Sequence, residues 1–257
     1  MLFCTFRYRT AAHLHFMKAA AAQLDVSWTR HLPMPQRESC YFCGAASTSD
    51  EHVPPRAVFP KPKDSPDGRD YRRQLIKVPA CDAHNSATSK DDEYLLYVAT
   101  MSLPANSLGT HHFLTKVRRA IEERPALIRS IVKSAQRVHV EDIETGSKFA
   151  TYAFEVDGAR LDAIFEKIAR GIHFHETRTR WVGEVVTLVE SEMSFEDLEV
   201  NHLRESVVKA ADRLFSGVPL SGSNPDAFCY QRIAFPDRSL IRLHFYGAVR
   251  VVATLAN

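Results

Sequence analysis

Read for apolar spacing, the chain changes character along its length. Residues 1–35 carry no sustained period, hold Ala19 to Ala22 among scattered Arg and His, and close on Pro33 and Pro35. They read as a poorly specified N-terminal extension, with Met17 and Met34 as alternative starts. Within 36–100, Leu75-Ile76-Lys77-Val78 has the look of a short strand. Pro60 to Asp70 is loop chemistry, with three prolines, one glycine and paired charges. Ser89 and Asp92 stand at capping-box spacing ahead of a helical run through Tyr94, Leu95, Tyr97 and Val98.

Beyond a Pro- and Gly-containing link, Pro104 to Gly109, the periods lengthen. Phe113 to Gln136 is helical, broken near Pro125, with Arg118, Arg119, Arg124, Arg129 and Lys133 toward solvent. Phe149 to Val156 alternates as a strand, Asp157-Gly158 is a turn, and Leu161 to Ala169 has helical spacing. Ile172 to His175 and Val182 to Val189 read as strands, and Ser194 to Phe215 as a helix with Ser194 and Asp197 at its start. Phe228 to Phe235 and Leu240 to Leu255 read as two closing strands around Pro236-Asp237-Arg238. The expected fold is α+β, with residues 113–257 as an accessory domain built on a mainly antiparallel sheet, a normal length for one core.

Composition is that of an ordinary globular chain, 45% hydrophobic and 25% charged, and a formal net charge of +2 demands no polyanionic partner. The charge is unevenly placed, however. Between Arg56 and Lys77, seven basic residues against three acidic ones leave an excess of +4. Arg56, Arg72 and Arg73 are therefore candidates for contact with a phosphate backbone. No apolar run reaches the ~18 residues of a membrane span and no secretory pattern opens the chain, so a cytoplasmic protein without a membrane partner is expected.

The richest chemistry lies in Cys40-Tyr-Phe-Cys43-Gly44, Glu51-His52-Val53-Pro54-Pro55 and Pro79-Ala80-Cys81-Asp82-Ala83-His84-Asn85. Cys40 with Cys43 and Cys81 with His84 form two knuckles whose short turns let paired ligands converge on one ion. Together they make a complete Cys3His set for tetrahedral zinc; buried free thiols or a disulfide are the plainer readings. Cys4 and Cys229 stand outside the pattern, and an odd cysteine count argues against an oxidised secreted scaffold. The order knuckle, strand, loop, strand, knuckle, helix implies a ββα unit around a metal over residues 36–100. A closed four-ligand shell has no open position for substrate, so any chemistry sits beside it, on Glu51, His52 and Asn85.

This ordered set resembles the HNH endonucleases, which have a ββα-metal fold; the likeness covers residues 40–97. The segments Lys167 to His175 and Leu243 to Gly247 are similar, more loosely, to a region that accompanies the motif in uncharacterised bacterial HNH proteins. The resemblance implies that His52 is the general base that takes a proton from water, a task suited to imidazole near neutrality. It implies that Glu51 and Asn85 supply oxygens to a catalytic Mg²⁺ or Mn²⁺, hard cations that prefer such ligands. Two departures stand out: no Asn precedes the second knuckle in Leu75–Pro79, and Thr88 stands where the family often has Lys.

Other motifs carry less. The Glu-His order does not match zinc deaminases, which need His-x-Glu and a Pro-Cys-x2-Cys pair. His111-His112 and His173-x-His175 read as surface or packed histidines, and Trp28 and Trp181 as packing residues. Arg178 and Arg180 suit a solvated turn as well as a phosphate, and no phosphate loop of the Gly-x4-Gly-Lys type occurs. The expectation is a metal-dependent endonuclease acting on nucleic acid, DNA first. The alternative is a zinc-stabilised nucleic-acid-binding module with a vestigial nuclease site. A third reading gives residues 113–257 a self-association role, as in a homodimer.

Overall fold

A computed structural model describes residues 6–7, 39–85, 89–102, 104–141, 146–192 and 198–257. The remainder of the expected 1–35 extension, Thr88, and the proposed cap at Ser194 and Asp197 lie outside these residues. The fold is α+β. Strands β1 (Phe6–Arg7), β2 (Ser49–His52) and β3 (Lys77–Ala80) precede helices α1 (Ser89–Met101), α2 (Ser107–His112), α3 (Arg118–Glu123) and α4 (Ala126–Lys133). Then come β4 (Gln136–Glu141), β5 (Lys148–Glu155), α5 (Gly158–Thr177), β6 (Glu184–Val189) and α6 (Leu198–Phe215). The chain closes with β7 (Ser221–Asn224), β8 (Phe228–Ala234), β9 (Arg238–Phe245) and β10 (Val249–Ala256).

The main sheet is five-stranded and antiparallel, in the order β6-β10-β9-β8-β7. Its two faces differ because side chains alternate along each strand. Val249, Val251, Ala253 and Leu255 of β10 are buried with Ile241, Leu243 and Phe245 of β9. Helix α5 packs on β10, presenting Leu161, Ile164, Phe165, Ile168, Ala169 and Ile172 as a stripe of period 3.6. On the alternate positions Arg242 pairs with Glu190 and with Asp212 of α6. A second sheet has the order β1-β5-β4, and β2 with β3 forms a two-stranded ladder in which Glu51 faces Val78 and His52 faces Lys77.

Two sequence expectations are corrected. Ile172 to His175 is not a strand but the last turns of α5, because Ile172 continues the Ile164–Ile168 stripe; the helix stops at Arg178 in the left-handed region (φ 58°). Leu240 to Leu255 is two strands, β9 and β10, reversed at Tyr246 (φ 50°) and Gly247 (φ 70°). Positive φ at both central turn positions matches the twist of a hairpin, and Tyr246 does not advertise it. Strands β4 and β7 went unpredicted. The break expected at Pro125 does separate α3 from α4, and a π-helical turn, Phe113–Val117, joins α2 to α3.

Pro104 to Gly109, read as a link, is docked. Asn106 caps α2 through Gly109 N–H (2.9 Å), donates to Asp226 O (2.7 Å), and its N–H reaches Tyr246 O (2.8 Å). Most of the buried apolar residues of 41–101 and of 108–255 belong to one connected cluster.

A Cys3His cluster beside an acidic cleft

Both knuckles are local turns fixed by backbone hydrogen bonds. Gly44 (φ 79°) closes the first, its N–H donating to Cys40 O at 2.9 Å. The second is a 3₁₀ turn, Asp82–His84, in which the N–H groups of His84 and Asn85 both reach Cys81 O at 3.0 Å. Tyr41 N–H donates to Pro79 O (2.9 Å) and Thr48 Oγ1 to Asp82 Oδ1 (2.7 Å), so the knuckles are tied across the β2–β3 ladder.

The four expected ligands meet: donor atoms of Cys40, Cys43, Cys81 and His84 all lie within 4.8 Å of one another. Cys43 Sγ and Cys81 Sγ are 3.7 Å apart, and His84 Nδ1 is 3.2 Å from Cys81 Sγ and 3.8 Å from Cys40 Sγ. Bonds of ~2.3 Å to sulfur and ~2.0 Å to nitrogen at tetrahedral angles require edges of about 3.8 and 3.5 Å. The cluster is therefore able to bind a metal ion of that size. Burial raises both the Cys40 and Cys81 thiols; at Cys40 the amides of Cys43, Cys81 and Phe42 outweigh it and bring the thiol below its ordinary value. Burial and the charge of Lys167 lower His84, favouring the neutral ring a metal needs. The His84 ring stacks on Phe42 (4.4 Å), and Arg170 lies 5.2 Å from the centre of the Phe42 ring. Arg170 is itself fixed by Glu166 and by the carbonyls of Trp181 and Gly183.

Next to the cluster a cleft of about 150 Å³ opens between the end of β2, the start of α1 and one face of α5. Glu51, His52, His84, Asp91, Asp92 and Lys167 supply its polar groups. Glu51 is 5% exposed; it accepts from Tyr41 Oη at 2.9 Å on Oε2 and pairs with Lys167 Nζ on Oε1. Burial raises the Glu51 carboxyl, and Lys167 works against that rise. Asp92 is pushed up to about 6 by burial, again opposed by Lys167.

His52 is half-buried, and its pKa is lowered first by burial, then by Lys77, Arg56 and Arg72. These three cations oppose its protonation, and Asp50 works against them. Arg56 is exposed; Arg72 is half-buried and donates Nε to Phe59 O (2.8 Å); the Arg73 side chain is exposed, its carbonyl accepting from Asn224 (3.3 Å). Asn85 is placed differently from Glu51 and His52. Its Nδ2 donates to Ser49 Oγ (2.7 Å) and Asp50 O (3.2 Å), at the start of β2, and it does not line the cleft.

Glu51 and Asn85 carry oxygens of the kind a hard divalent cation takes, but Asn85 lies outside the cleft that Glu51 lines and Glu51 Oε1 already carries Lys167. Among the described residues the Cys3His set is the group of three or more His, Cys, Asp or Glu whose donors converge.

Three residues of the site, Tyr41, Asp92 and Lys167, and one outside it, Lys116, went unread in sequence. Tyr41 hides inside the first knuckle, and Asp92 has the spacing of a helix cap. Lys116 sits on the π-helical turn, donates to Ala57 O (3.2 Å), and is pushed down to about 8 by burial and by Arg72. Lys167 had a legible signal: it shares a helix face with Ile164 and Gly171, a charge at the edge of an apolar stripe. No family model, curated protein or solved structure matches the chain.

Proposed function

We propose that this protein is a zinc-stabilised, metal-dependent endonuclease of the HNH kind, hydrolysing phosphodiester bonds in DNA. The observation that carries the reading is the Glu51-His52 strand end set against the Cys3His cluster, with the charges of Lys77, Arg56 and Arg72 opposing protonation of His52. Zinc on Cys40, Cys43, Cys81 and His84 would be structural, holding β2, β3 and α1 as a ββα-metal unit. His52 takes a proton from a water aligned on phosphorus. Arg56 and Lys77 meet the negative charge of the phosphate, with Arg73 and the rest of the basic loop tracking the backbone. A Mg²⁺ or Mn²⁺ ion held by Glu51 and Asn85 would supply Lewis-acid stabilisation of the leaving oxygen when bound.

Residues 113–257 are more than an accessory in this reading, since α5 forms one wall of the cleft. The second reading, a nucleic-acid-binding module with a vestigial site, is favoured by Glu51, whose carboxylate is held by Tyr41 and Lys167. Incubation of purified, zinc-loaded protein with supercoiled plasmid and Mg²⁺ or Mn²⁺ separates the two. Nicked and linear products that require the divalent ion support the enzyme; retarded but intact plasmid under every ion supports the binder.

A further inference from the structure

Lys167 pairs directly with the Glu51 carboxylate. Its side chain is 14% exposed and that of Glu51 7%, so the pair is nearly out of water. There a direct ammonium–carboxylate contact is far stronger than on a surface, and two positive charges on one carboxylate oxygen repel just as strongly. The other Glu51 oxygen takes the Tyr41 hydroxyl at 2.9 Å, and Asp92 lies in the field of the same ammonium. Ile164, Ile168 and Gly171 flank Lys167 on α5, and Gly171 is pressed so closely on Val53 that the helix has little freedom to withdraw.

We propose that Lys167 is a built-in competitor for the divalent-cation position: it occupies Glu51 in the free protein and yields it when a phosphate oxygen draws the ammonium away. The inference rests on the reading of Glu51 as a ligand of that cation. Lys167 is then a positioning residue that makes cation and nucleic acid bind cooperatively, because each favours the arrangement in which Glu51 and Lys167 are apart. Coupling of this kind is reciprocal by linkage.

The test is Mn²⁺ binding to the zinc-loaded protein, followed by electron paramagnetic resonance at one mildly alkaline pH, without any activity readout. Lys167→Met and Lys167→Gln are compared with wild type and with Glu51→Gln; the Gln variant keeps a hydrogen-bond donor for Glu51 without the charge, should the Met variant fold poorly. Both Lys167 variants are expected to bind Mn²⁺ about tenfold more tightly than wild type, within the usual range of coupling between sites. A short DNA duplex is expected to tighten Mn²⁺ binding in wild type and to add little in the variants. Lys167 variants that bind Mn²⁺ no tighter than wild type, while Glu51→Gln binds it less tightly, overturn the competition alone. Mn²⁺ affinity unchanged in Glu51→Gln, or absent throughout, overturns Glu51 as a ligand and the competition with it.

Discussion

At the scale of single residues, the site is a matter of which charges neighbour which. Burial, then Lys77, Arg56 and Arg72, lower the His52 pKa, and in the proposed function the same cations receive the phosphate. Arg56→Ala combined with Lys77→Ala is therefore expected to flatten the salt dependence of duplex binding, by roughly 0.9 in log–log slope for each phosphate no longer neutralised. Fluorescence anisotropy across a salt series measures it; an unchanged slope moves the nucleic-acid surface elsewhere. Away from the site, His112 is wholly buried, with Nδ1 2.8 Å from Tyr246 Oη, whose hydroxyl donates to Val58 O. Burial pushes His112 down to about 3. A depressed histidine contributes stability that is present above its unfolded pKa of ~6.5 and is lost as pH falls toward the folded value. Its ring ¹⁵N shifts are expected to stay those of a neutral imidazole from pH 8 down to about pH 5; titration of this ring near pH 6 would contradict the buried assignment.

At the scale of elements, α5 is the piece that turns a metal knuckle and a sheet into one site. It reaches the cleft with Lys167, braces Phe42 with Arg170, and meets the residue after β2 at Gly171, where an added Cβ would lie 2.6 Å from Val53 Cγ2. Gly171→Ala is expected to destabilise by about 1–3 kcal/mol, as overpacking does. Combining it with Val53→Ala should cost less than the two single changes added together, because the clash and the cavity cancel in part; strict additivity in urea denaturation would place the two elements apart.

Parts of this element scale were legible and parts were not. The alternation of Ile241, Leu243, Phe245 and of Val249, Val251, Ala253, Leu255 marks sheet positions, yet the turn between them falls on Tyr246, a residue whose type gives no warning of positive φ. Ile172 to His175 has β-branched and aromatic character, but the apolar period running on from Ile168 decides for helix. The Cys and His cluster was readable because a metal-binding set has characteristic spacing along the chain. Lys167, more than eighty residues from the nearest ligand, His84, could be joined to the site only by packing.

At the scale of the molecule, the Cys3His cluster adjoins a core that does not stop at the β2–β3 ladder. Tyr41, Val53, Val78 and Ala80 are continuous with Leu95 on α1, Ile168 on α5 and Leu255 on β10. Zinc binding free energy is folding free energy for such a unit, on the order of 10 kcal/mol in isolated zinc domains. Elemental analysis of protein purified without added metal is expected to give one zinc per chain, with Cys43→Ser and Cys81→Ser insoluble or sensitive to protease. Substantially less than one equivalent in well-folded protein would remove the cluster's structural role. Among the described residues no helix is long and apolar enough to cross a membrane.

The proposed chemistry beside the Cys3His cluster, with His52 as its base, is tested most directly by one rate. That rate is the single-turnover cleavage of duplex DNA by His52→Ala, at zinc content and DNA affinity matched to wild type. Loss of a general base predicts a rate lower by ~10²–10⁴, with no recovery on raising Mg²⁺ or Mn²⁺. Cleavage by His52→Ala at the wild-type rate would contradict it.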